Sequence, residues 1–222
     1  MRGWVVVACG ALLVAGCGVT RGTSDGSATS APIESQVPTS AEPADPDAPT
    51  TGQSTEDEVQ PDDIVLAVDD LPTGWSERQL SATDTPIECL AAMNEVGGDE
   101  KVRAAFLAPD GESELSQAVI PGDEAFDTFV QQFDSCGEFS FDVDGVTLRG
   151  SIGPLSMDPI EGVARTATYR LSASTGLQDV EGVYVIMAGG GFTMGLSLVA
   201  EPRVDLEQAA EVAQIAASKL PS

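Results

Sequence analysis

From Lys101 to Ala200 the chain is a succession of β-branched and apolar runs punctuated by glycine, with a single helical window among them. "KVRAAFLAPDGESELSQAVI" reads as two strands joined around Pro109-Asp110-Gly111, because Pro presets one dihedral and Gly permits positive φ. "FDVDGVTLRGSI", "GVARTATYRLSA", "EGVYVIMAG" and "GFTMGLSLVA" combine alternation, β-branched residues and intervening glycines, which favours antiparallel strands. The interrupting window is "GDEAFDTFVQQFDSCGEF". Ala125, Phe126, Phe129, Val130 and Phe133 recur there at helical spacing, with Asp123 and Glu124 at the start and Gly137 to close. Strands that arrive in hairpins, rather than alternating one by one with helices, define an α+β fold: an antiparallel β-sheet with helices packed on one face.

Two further helices flank this region. "PIECLAAMNEV" places Ile87, Leu90, Ala91 and Met93 on one side, with Pro86 suited to a first turn and Gly97-Gly98 to a stop. At the end, "VDLEQAAEVAQIAASKL" puts Leu206, Ala209, Ala210, Ala213, Ala216 and Leu220 on a shared face, capped by Asp205. Ahead of them, "DDIVLAVDDLPTGWSERQL" is an apolar patch, a short helix or strand, running into the turn Leu71-Pro72-Thr73-Gly74 and then Trp75.

Charge excludes one class of partner. Ten Lys and Arg stand against 36 Asp and Glu, a net charge of -26, so nucleic acid is repelled and no nucleic-acid partner is expected. The same deficit disfavours adhesion of the folded domain to an anionic membrane surface, which needs clustered basic residues. Membrane attachment has to come from the N-terminus. There Arg2 is followed by an apolar core, Trp4 to Leu13, and the small pair Ala15-Gly16, the layout of a signal peptide over residues 1–16. Val14-Ala15-Gly16-Cys17 resembles the bacterial lipobox. That resemblance implies cleavage before Cys17, a diacylglyceryl thioether on its sulfur with palmitate-type acyl chains, and a lipoprotein anchored to the cell membrane on its extracytoplasmic side. Two or more acyl chains hold a protein durably where one binds reversibly.

Residues 17–61 then form a Ser/Thr/Pro/acid-rich stalk with hardly a large apolar side chain, so it buries too little surface to offset its ordering entropy. A flexible chain of that length spans on the order of 35 to 40 Å. The globular domain is expected over residues 62–222.

Past Cys17 two cysteines remain, Cys89 and Cys136. In an oxidising exported compartment an even pair most often forms a disulfide. Residue patterns that carry chemistry are few. With no His in the chain, Ser or Cys nucleophiles lack their usual base and most zinc sites lose their commonest nitrogen ligand. Asp142 to Gly145, "DVDG", matches part of a calcium loop but lacks the later acids. Gly189-Gly190-Gly191 precedes β-patterned sequence rather than a helix, which suits a hairpin turn better than a phosphate cradle. No metal, no cofactor and no catalytic residue is assigned.

"DDLPTGW", "IEC" before the first hairpin, "AFDTFVQQFDSCGEF", the paired late strands and the final helix together resemble a group of actinobacterial lipoproteins with extracytoplasmic sensor-like domains. The order of elements is similar to the sensor domain of the PknH-type receptor kinases. That resemblance implies a sheet and flanking helices holding a ligand-sized groove, although the family domain carries two disulfides and only Cys89 and Cys136 are available here for one. The expectation is a non-enzymatic binding or sensing module at the cell envelope, for an unknown envelope ligand or protein. Trp75, Tyr169 and Tyr184 are candidates for an apolar groove, each also explicable as packing. The alternative is a protein-interaction adaptor for an envelope enzyme or transporter; a hydrolase using an acid pair is the third reading.

Overall fold

The computed structural model describes residues 59–80, 87–143 and 146–221. The signal segment, Cys17, Pro86 and the spacer through residue 58 lie outside them. Eight strands form one antiparallel sheet: β1 (Ser76–Glu77), β2 (Val102–Leu107), β3 (Ser113–Pro121), β4 (Glu138–Val143), β5 (Val146–Pro154), β6 (Arg165–Ser174), β7 (Asp179–Gly189) and β8 (Phe192–Ala200). Their order is β1-β2-β3-β8-β7-β6-β5-β4. Strands β4 to β8 are a meander. The β2–β3 hairpin joins it through β3 and β8, in register from Ser113 opposite Ala200 to Pro121 opposite Phe192.

The turns have local causes. Between β2 and β3, Asp110 Oδ1 accepts from the Glu112 and Ser113 amides at 2.8 and 2.9 Å, and Gly111 supplies φ of 71°. Between β7 and β8, Gly190 and Gly191 have φ of 61° and 82°, the doubly positive geometry of a tight hairpin. The glycine run is a turn.

Helix α2 (Glu124–Ser135) is the connection from β3, inside the sheet, to β4 at its edge, so it has to cross a face. It buries Ala125, Phe126, Phe129 and Phe133 against Leu148, Ile152, Tyr169, Leu171, Ile186 and Ala188. Each buried phenylalanine contributes about 1.5–3 kcal/mol. Helix α3 (Leu206–Ala217) follows β8 and starts at Asp205, whose Oδ1 accepts from the Glu207 and Gln208 amides at 2.9 and 3.4 Å. Its Ala209, Val212, Ala213, Ala216 and Ala217 pack over Val183, Val185, Met187, Met194 and Leu196. The small side chains let helix and sheet approach closely.

The two helices lie on opposite faces, contrary to the single helical face expected from sequence. Strand β7 shows why. Val183, Val185 and Met187 belong to the α3 cluster, while Ile186 and Ala188 belong to the α2 cluster, and alternate residues of a strand point to opposite sides. A strand apolar on both sides needs cover on both. The α3 face is further covered by the one-turn helix α1 (Pro61–Ile64), by Leu66, Leu71 and Trp75, and by Leu155, Met157 and Ile160 from the β5–β6 connection. Buried Gln117 ties the N-terminal strap down, its Oε1 accepting from the Leu66 amide at 2.6 Å.

Two local readings also change. Residues Glu88–Asn94 form a 3₁₀ run rather than an α-helix: Leu90 is buried, Met93 is half-buried and Ala91 faces solvent. Seven residues ahead of a glycine pair give little α-helical propagation. In α3, Leu206 is exposed and Val212 takes a core position.

Candidate functional site

The cover on the α3 face is incomplete. By the ladder registers, Arg149 stands opposite Ser174 and Ser174 opposite Asp179, while Ser151, Ser172 and Glu181 form the next row. Glu181 alternates with Val183 and Val185, so this polar lattice shares the face that α3 covers further along. Where the helical layer stops, the loop between β8 and α3 brings Pro202 and Arg203 alongside. The result is an open cleft of about 560 Å³, floored by Arg149 of β5, Ser172 to Ser174 of β6 and Asp179 to Glu181 of β7, and walled by Pro202 and Arg203. That size suits a small molecule.

Two guanidinium groups and two carboxylates therefore meet in one cleft. The ion pairs among the described residues lie elsewhere: Arg78 with Glu114, Arg165 with Asp127, and Lys219 with Asp70 at 2.6 Å. Burial raises the Glu114 carboxyl above its usual range, and Arg78 partly offsets this. Arg165 also lies over the Phe126 ring, 4.1 Å from its centroid. Arg149 and Arg203 have no such partners among the described residues.

The aromatic candidates do not form a groove. Trp75 is 7% exposed within the α3-side core. Tyr169 lies on the other face, stacked on Phe133 with centroids 4.7 Å apart and donating to Asp134 Oδ1 at 2.9 Å. Burial, then the Asp134 carboxylate, push its hydroxyl up to about 12. Tyr184 packs beside the same Phe133, centroids 4.9 Å apart, and hydrogen-bonds Ser197. The sheet separates Trp75 from both tyrosines, and all three serve packing.

Asp142 is the penultimate residue of β4 and accepts from Thr147 Oγ1 at 2.6 Å; residues 144–145 lie outside the described ones. No cluster of three metal-ligating side chains occurs among the described residues. Cys89 and Cys136 are joined as a disulfide, Cα atoms 5.4 Å apart, which fastens the 3₁₀ run to the C-terminal end of α2. Sequence reasoning missed Arg149 and Arg203. The available signal was the polar set Thr147, Arg149, Ser151 alternating with Leu148 and Ile152, but only the register brings it beside Arg203.

No family model and no curated protein matches this chain in sequence. Among solved structures, the extracellular domain of PknH from Mycobacterium tuberculosis is similar in fold, with a TM-score of 0.53 at 12% identity over 72% of this chain and 93% of that one. A structure from Bacteroides thetaiotaomicron reaches a TM-score of 0.34 at 13% identity over 65% of this chain and 41% of that one, too low to define a shared fold. Among the described residues no helix is long and apolar enough to cross a membrane.

Proposed function

We propose that this chain is an exported binding or sensing module without enzymatic activity, held at the extracytoplasmic side of the cell membrane through lipid on Cys17, with the cleft between β5, β6, β7 and Arg203 as its ligand site. The observation that carries the reading is the cleft itself: convergent polar side chains where helical cover ends. The fold likeness to an extracellular domain supports an extracytoplasmic setting, as does the disulfide, since such bonds persist in oxidising compartments. The lack of His throughout the chain supports a role other than catalysis. Leu177, 95% exposed at the β6–β7 tip beside the cleft, favours a second reading as an adaptor for an envelope protein.

Native mass spectrometry of the mature chain, taken in detergent from the exported membrane fraction of its host, tests the proposal. The expected spectrum shows a diacylglyceryl group on N-terminal Cys17 and an additional mass lost on denaturation. Lipidated protein with no additional mass removes the ligand-carrier reading and leaves the adaptor; an unlipidated N-terminus removes the anchor.

A further inference from the structure

We infer that the cleft recognises the phosphate ester of a hydroxyl-rich small molecule or headgroup, an inference that rests on the cleft being the ligand site. In a chain with 36 acidic and ten basic side chains, carboxylate partners for arginine are plentiful. Yet Arg149 and Arg203 reach one cleft from different elements, and neither makes an ion pair among the described residues. Arg149 faces Ser140 and Ser174 across the ladder rather than an acid. Guanidinium forks and serine hydroxyls suit phosphate oxygens, since bonds between ionised partners are roughly twice as strong as neutral ones. The β7 strip between the two arginines has the opposite chemistry. Asp179 and Glu181 are acceptors that repel a bare anion and bind hydroxyl donors. A ligand satisfying both kinds of group carries a phosphate and several hydroxyls together. Inorganic phosphate leaves the carboxylates unmatched, and a neutral sugar leaves the arginines unmatched.

Isothermal titration calorimetry on the mature full chain in detergent, with glucose 6-phosphate, glucose, inorganic phosphate and dihexanoyl phosphatidylinositol as probes, tests this. At least one phosphorylated polyol is expected to bind tenfold or more tighter than glucose and inorganic phosphate. Arg149→Met and Arg203→Met should each weaken that binding tenfold or more, while Arg103→Met, at the opposite end of the sheet, leaves it unchanged. Asp179→Asn combined with Glu181→Gln should erase the preference over inorganic phosphate. Glucose 6-phosphate equal to the lipid probe supports a soluble ester as the ligand; a tenfold advantage for the lipid supports a headgroup. No saturable binding of either at millimolar concentration, or binding indifferent to both arginines, overturns the inference. A co-purifying ligand without phosphorus overturns it as well, yet leaves the binding-module reading standing.

Discussion

Removing the disulfide by replacing Cys89 and Cys136 with Ala should destabilise the whole domain rather than fray one end of it. The bridge closes 47 residues of chain, and that loop contains β2, β3 and α2, hence the β3–β8 junction that joins the two parts of the sheet. Loop-entropy arithmetic gives about 4 kcal/mol for a closure of this length. Natural domains are stable by only about 5–15 kcal/mol, so the variant should still fold but lose a large fraction of its margin. For a domain of this size that corresponds to a fall in Tm of roughly 8–16 °C. Urea unfolding of both proteins, followed by far-ultraviolet circular dichroism and by tryptophan fluorescence, gives the free-energy difference, and coincidence of the two probes checks that one cooperative unit is being measured. A loss below about 1 kcal/mol would show instead that the 3₁₀ run and α2 are held together without the bond.

Tyr169 makes a pH prediction. Its hydroxyl is raised from 10.0 to about 12 in the folded chain, so the folded state holds this proton more tightly than the unfolded state. The associated stability is complete below the unfolded value and is lost as pH rises through the folded one. Tyr169→Phe should therefore flatten the decline of urea stability between about pH 10 and 12. Gly190→Ala places a side chain at φ of 61° with its Cβ against the Pro221 carbonyl oxygen; a loss of about 1–3 kcal/mol in urea is expected. Asp205→Ala removes the acceptor for two amides at the start of α3, and the same assay should report about 0.5–2 kcal/mol.

Local physics made much of this fold legible from sequence. Phe126, Phe129 and Phe133 at helical spacing mark α2 because one helix face has to meet the core, and Pro109-Asp110-Gly111 marks its turn through backbone preferences that need no distant partner. What was not legible depended on non-local pairing. Nothing in "ESELSQAVI" says that it will lie beside residues 192–200. The two-sided packing did leave a trace: Val183 to Ala188 is a continuous apolar run, the signature of a strand buried on both faces, although short runs of that kind do not say what covers them. The site was hidden for the same reason. An arginine on the polar side of a strand reads as solvated surface until register and the β8–α3 loop set Arg149 and Arg203 around one cleft.

Ligand is expected to engage the step where α3 cover ends, rather than the aromatic face under α2. Amide chemical-shift mapping of the isotopically labelled mature chain, with and without a small-molecule extract of its host's envelope, tests this most directly. The predicted perturbations cluster at Arg149, Ser172 to Ser174, Asp179 to Glu181 and Arg203. Perturbations centred on Phe133, Tyr169 and Tyr184, or none anywhere, would contradict it.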